Sequence, residues 1–411
     1  MKPSNDHTLH SCSATPTSHT SKTNPPGLTP TRTQNRGFLH RAIVAAAATA
    51  LALSFSTLAA AQTEDRSAIF AAASKEATNI AGVSVFTGAP KGFDPLTASN
   101  RELLGYGLPQ RPDEATNAKA FEHWKRGMLA LNTRISAKLE AKPFSSRELV
   151  PAGPSAAAAI DGTTSIGSSN WSGIANTNKL KTWNNKTSFD YVESVWNVPV
   201  AQTPFGVSPC SSNTTWYEAS WNGIDGFSNG DVVQGGSLDI VNCGGPQYYG
   251  WVEWYPSYSI LVVYCGGSPC PVGPGDDFWV ITYGAPGTSN QNVFIEDITQ
   301  QWGGTLTLGY VSGPGLVGSS AEYIVEAPCC SSSGGPLPLV NYVYDFFDYS
   351  FDYDLAGTLS YPGSTAASTY IITMYSGATP ISAPYFYGTA GNQGRYSIWF
   401  ADENCAEFGG C

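Results

Sequence analysis

The 411-residue chain sets 21 Lys and Arg against 32 Asp and Glu, a formal net charge of −11. The excess of acid sits at the C-terminal end: residues 151–411 hold four basic and twenty-one acidic side chains, net −17, against +4 for residues 1–61 and +2 for residues 62–150. Such a unit repels nucleic acid and anionic membranes at neutral pH and loses that repulsion when acid protonates its carboxylates, so polyanion binding is excluded while solubility or work in acid remains.

Arg36, His40 and Arg41 precede the apolar run "AIVAAAATALALSF", and "TLAAAQ" follows it. This is a basic region, a hydrophobic core and a small-residue cleavage site, as in a secretory signal cut after Ala61. The run is short for a transmembrane helix. Residues 1–61 are therefore expected to be an N-terminal extension plus signal peptide, and the product to be secreted, extracellular and free of the membrane once the signal is removed. Residues 62–165 read as a propeptide. Within it, residues 113–142 place Phe121, Trp124, Met128, Leu129, Leu131 and Ile135 at helical spacing among good helix formers, up to Pro143. Residues 150–169 have the small, flexible composition of a linker. The alternative is a helical domain retained in the mature protein.

From about residue 166 to 411 the helical signals vanish. Strand-like runs such as "FDYVESVWNVP", "TWYEASWNGI", "YYGWVEWYP", "DDFWVITYGA" and "AEYIVEAP" alternate between turn residues. That pattern predicts an all-β domain, an antiparallel β-sandwich or barrel. Eight of the nine cysteines lie here (Cys210, Cys243, Cys265, Cys270, Cys329, Cys330, Cys405 and Cys411) and suit up to four disulfides in an oxidising compartment.

Elimination narrows the chemistry. No histidine follows His123, which removes His-based triads and His-ligated zinc from the C-terminal domain. Lysine is confined to positions 179–186 there. Acid–base work falls to Asp and Glu. No Asp-Thr-Gly or Asp-Ser-Gly tripeptide occurs, which argues against an aspartic peptidase. Glu193, Glu218, Glu253, Glu296, Glu322 and Glu326 could supply a glycosidase pair beside aromatic sugar platforms, so a carbohydrate-active or lectin-like sandwich is the alternative function. On a strand, Glu322, Ile324 and Glu326 share one face. Gln234, at the end of "DVVQ" and before two glycines, is a buried amide in need of partners.

Five motifs in order resemble the glutamic peptidases of the eqolisin family: "SSNWSG" (168–173), "ASWNGIDG" (219–226), "VVQGG" (232–236), "WVEWYP" (251–256) and "AEYIVEAP" (321–328). The resemblance implies a sandwich of two antiparallel sheets of roughly seven strands each. It implies a monomeric, acid-active, pepstatin-insensitive endopeptidase made as a proenzyme, with polypeptide substrates, its own propeptide as partner, and no metal or cofactor. By the same resemblance Gln234 and Glu326 are the catalytic pair, and Trp171, Trp221, Asp225, Asp239 and Glu253 line or support the cleft. Asp239 stands five residues after Gln234 where the family has four, so it changes face unless a glycine bulge absorbs the step. Tyr323 replaces a family Trp, and the segment around Cys270 and the vicinal pair Cys329–Cys330 depart from the family pattern. A basic-leaning prosegment on a −17 domain suggests docking by charge, loosened by acid.

Overall fold

The computed structural model describes residues 66–142, 144, 163–227, 229–285, 289–309, 315–329, 335–362, 368–386 and 396–400. The expected signal peptide and most of the linker lie outside the described residues. All described residues belong to one compact unit, Leu53–Cys411.

Two mainly antiparallel sheets pack face to face. In the first, the strands Leu261–Cys265, Gly245–Tyr255, Val232–Asn242, Trp216–Ile224, Ser320–Glu326, Trp171–Thr177 and Ser368–Ser376 are neighbours in that order. In the second, Tyr396–Phe400, Tyr344–Asp354, Phe189–Asn197, Asp277–Tyr283, Asn290–Asp297 and Trp302–Gly309 follow one another. The strand Thr379–Phe386 pairs with the last strand named in the first sheet and the first named in the second. The all-β expectation thus matches the fold.

Period-two alternation sends one set of side chains between the sheets and the other outward. Val192, Trp196, Val233, Val252, Val280, Val293, Tyr323 and Val325 form the inter-sheet core. This core is unusually polar in places. Along Trp216–Ile224 the inward positions are Glu218, Ser220 and Asn222, all fully buried. Asn222 Nδ2 donates to the Val280 carbonyl across the sheets at 2.8 Å, and Trp196 Nε1 donates to Ser237 Oγ at 3.0 Å. Such bonds offset the desolvation of groups that water cannot reach.

The segment 66–144 is built onto this sandwich. Its helix Ala118–Ala130 starts at an Asn117 cap and lays Trp124 and Met128 against Tyr191, Trp279, Tyr349 and Phe351 on the outer face of the second sheet. The helix is shorter than the 113–142 pattern suggested. Beyond Ala130 the chain turns extended, and Thr133–Arg134 and Leu139–Ala141 become strands. Sheet pairing overrides local helix propensity there: Thr133–Arg134 pairs with Trp302–Gly303, and Leu139–Ala141 extends the first sheet at Leu261–Val263. Val83–Phe86 extends the second sheet beside Leu306–Leu308. The segment is therefore helical only in part. It is bound by strand addition and an apolar layer, with ion pairs at Arg66–Asp190, Lys119–Asp348 and Arg126–Asp277 as additions. Charge alone does not hold it.

Disulfides join Cys210 to Cys243 and Cys265 to Cys270, and Cys329 is also disulfide-bonded.

Candidate active site

Five neighbouring strands of the first sheet carry the site. Glu326 lies opposite Trp171 on one side and Ala219 on the other. Trp221 lies between Ile324 and Gly236, and Gln234 between Gly223 and Glu253. Paired residues share a face and steps of two preserve it. Trp171, Trp221, Gln234, Glu253 and Glu326 therefore all project from the face turned away from the second sheet, and each is fully buried.

Glu326 is fixed by two donors. Trp221 Nε1 donates to its Oε2 at 2.9 Å, and Asn170 Nδ2 donates to its Oε1 at 3.2 Å. Trp171 buttresses Trp221 edge-on, with ring centroids 5.0 Å apart. Gln234 Nε2 donates to Glu253 Oε2 at 2.6 Å, while Gln234 Oε1 has no partner among the described residues. The amide is held through its nitrogen, and its buried oxygen can still accept a hydrogen bond.

The register gives the spacing of the two groups. Gln234 and Glu326 stand two strands and four residues apart, which in a flat sheet is about 16 Å between Cα atoms. Both side chains stand out of the sheet on the same face, so most of this separation carries over to their polar ends. Trp221 occupies the intermediate strand and row.

The glycines after Gln234 have a specific use. A Cβ on Gly236 would lie 1.9 Å from the Ser220 carbonyl oxygen and 2.8 Å from Trp221 Cβ. Gly236 lets the two strands and the indole close up. Gly235 faces the other way, where a Cβ would meet Val293 at 2.7 Å.

Two expected supporting residues do not meet the pair. Asp225, in the left-handed region at φ 67°, braces the loop leading into the glutamate strand. Its carboxylate accepts from the backbone N–H of Val317 at 2.5 Å, Gly318 at 2.9 Å and Ser319 at 2.7 Å, and from Ser319 Oγ at 2.8 Å. Asp239 lies on the opposite face. The strand Val232–Asn242 runs in unbroken register against both neighbours, so no bulge absorbs the extra residue. Asp239 points between the sheets, opposite Glu218 and near Asp345, where burial and like charge push these carboxyls up. Asn170 and Trp251 were not singled out from the sequence, although both stand inside the quoted motifs. Asn170 is a ligand of Glu326, and Trp251 is buried on the same face with Nε1 unpartnered among the described residues.

Of the six glycosidase candidates, Glu253, Glu322 and Glu326 share the outer face of the first sheet and the other three do not. Glu218 points inward with Asp239, and Glu193 and Glu296 belong to the second sheet. Glu322 stays on the face of Glu326 in the row of Gln234, and burial raises its carboxyl well above the usual range.

Comparison with known proteins gives the family. No curated protein matches the chain. Among solved structures, scytalido-glutamic peptidase with a transition state analog inhibitor is similar at 20% identity, over 56% of this chain and 98% of that one, with a TM-score of 0.43. SCP-B, a member of the eqolisin family in complex with the tripeptide Ala-Ile-His, is similar at 19%, with the same coverage and a TM-score of 0.42. Aspergilloglutamic peptidase from Aspergillus niger is similar at 19%, over 45% of this chain and 99% of that one, with a TM-score of 0.37. The model of the Peptidase A4 family matches residues 169–385, more than half of the chain and all five motif-bearing strands. The protein belongs to the Peptidase A4 family, the eqolisins, and is a glutamic peptidase that hydrolyses peptide bonds.

Proposed function

We propose that the protein is a secreted, acid-active, pepstatin-insensitive endopeptidase, made as a proenzyme, that uses Gln234 and Glu326 to activate water. The observation that carries this reading is the pair itself. A glutamate held by Trp221 and Asn170 shares one sheet face with a glutamine held by Glu253, two strands away.

In this mechanism Glu326 takes a proton from the water as its oxygen attacks the scissile carbonyl carbon. The carbonyl π bond opens to an oxyanion, which accepts a hydrogen bond from the Gln234 amide. Collapse of the tetrahedral intermediate breaks the C–N bond, and Glu326 returns the proton to the departing amine. A neutral amide stabilises an oxyanion without titrating, so it serves in acid where an imidazole would be charged.

The domain's buried carboxylates favour an acidic working range. Burial raises Asp190 to about 6, Asp352 to about 7, Glu193 to about 7 and Asp297 to about 8. Secretion is supported by the disulfides and the signal-like N-terminal sequence. The proenzyme reading is supported by the prosegment, which extends both sheets and whose Phe144 is buried in the cluster containing Trp171 and Trp221.

The test is cleavage of a denatured protein at about pH 3–4, near the titration range of an ordinary glutamate, with pepstatin present. Wild type is expected to cleave, and Glu326→Gln and Gln234→Ala to lose activity. Equal cleavage by wild type and Glu326→Gln would remove Glu326 from the reaction.

A further inference from the structure

Phe144 is unlike the rest of the prosegment. Most of the segment packs on sheet edges and on the outer face of the second sheet. Phe144 instead lies on the catalytic face of the first sheet, only 8% exposed, in the apolar cluster of Trp171, Ala219, Trp221, Leu238 and Trp251.

Two main-chain bonds to Ile260 pin its backbone just past the strand Leu139–Ala141. The Lys142 N–H donates to the Ile260 carbonyl at 2.8 Å, and the Ile260 N–H donates to the Phe144 carbonyl at 3.2 Å. The Lys142 ammonium sits 4.9 Å above the Tyr249 ring. The Phe144 ring meets Tyr217 edge-on, with centroids 5.3 Å apart. Tyr217 stands two residues before Ala219, the residue directly opposite Glu326. Its Cα is thus about 8 Å from that of Glu326 by strand geometry.

An extended chain held by main-chain bonds, with its side chain in an apolar recess beside the reacting group, is how a sheet receives a peptide. We infer that Tyr217 and its neighbours Leu238, Ile240 and Tyr249 form a subsite for a large aromatic side chain of the polypeptide substrate, and that Phe144 fills it in the full-length chain. The inference rests on the peptidase reading above and adds the side-chain class selected and the occupant that blocks it.

Full-length protein is assayed at about pH 3.5–4, below the usual glutamate pKa, on fluorogenic peptides in which one Phe is moved along an alanine background. Initial rates are taken while mass spectrometry shows the chain intact, and again after processing. Processed wild type is expected to prefer Phe over Ala at one position by about tenfold or more in kcat/KM, the weight of one buried aromatic ring. Tyr217→Ala is expected to reduce that ratio to below about threefold without changing preference at other positions. In the intact chain, Phe144→Ala is expected to raise the initial rate at least tenfold over intact wild type, with Phe144→Leu between them. Circular dichroism checks that each variant folds.

An unchanged Phe preference in Tyr217→Ala, or an intact Phe144→Ala chain no faster than wild type, overturns the subsite. Absence of all cleavage by processed wild type overturns the peptidase reading instead, and the two failures are distinguished by that control.

Discussion

Asp352 offers the sharpest test of whether the fold itself is built for acid. It is fully buried behind the glutamate strand, and its Oδ2 accepts from Asn176 Nδ2 at 2.6 Å and Tyr323 OH at 2.8 Å. Burial raises its pKa from 3.8 to about 7, with the two hydrogen bonds opposing and Asp354 adding a little. A folded-state pKa above the unfolded one means that the protonated carboxyl stabilises the fold fully below about pH 4. That contribution is lost as pH rises through about 7. Three units correspond to about 4 kcal/mol lost between pH 3.5 and neutrality. Asp352→Asn keeps an oxygen for Asn176 and Tyr323 and cannot ionise. At pH 3.5 the variant should melt within a few degrees of the parent. At pH 7 it should melt higher by about 10 °C, taking roughly 2–4 °C per kcal/mol for a domain of this size. Scanning calorimetry at one fixed rate, in a Glu326→Gln background to prevent self-digestion, measures both. An equal difference at the two pH values would refute the reasoning, because a purely steric or packing effect does not follow the proton.

Other expectations come from the site and from the segment 66–144. Trp221→Phe removes the N–H that donates to Glu326 and should lower kcat about ten- to a hundredfold with little change in KM, the scale of one lost donor to a buried charge. Glu253→Gln leaves Gln234 facing another amide that can rotate; steady-state kinetics should show a fall in kcat, and an unchanged kcat would deny Glu253 a role in orienting the glutamine. Gly236→Ala should destabilise by about 3 kcal/mol or more, since its Cβ would strike the Ser220 carbonyl, as read from a denaturant midpoint. His123 meets Trp279 edge-on at 4.9 Å, with Arg126 at 3.0 Å from its Nδ1, Lys119 on the same helix and its Nε2 buried without a partner among the described residues. Burial lowers its pKa to about 3, Arg126 and Lys119 adding to the effect. A lowered histidine pKa weakens the docking of the segment 66–144 as pH falls from about 6.5 toward 3. If the segment is released as proposed, His123→Gln should shift the midpoint of its cleavage, tracked on gels against pH, to lower pH.

Much of the site was legible in the chain because a strand writes its faces into the sequence. Alternation alone puts Glu322 with Glu326, and the motif around Gln234 marks the second group. The absence of histidine beyond residue 123 left carboxylates and an amide as the available chemistry. Asn170 and Trp251 escaped notice because nothing local distinguishes a ligand of Glu326 from any other buried polar residue in a motif.

What the sequence determined by itself was the acidic, strand-rich character of the C-terminal part, the sandwich class, and the residue types at the site. These depend on composition and on period-two alternation, which are local. Only the tertiary structure decided that Asp239 faces the inter-sheet core, because that depends on an unbroken register against two partner strands. Only it decided that residues after Ala130 abandon the helix, because open sheet edges at Trp302–Gly303 and Leu261–Val263 offered them backbone partners. The position of Phe144 on the outer face of the first sheet is of the same kind: it follows strand addition at a sheet edge far away in sequence, and no window of residues encodes it.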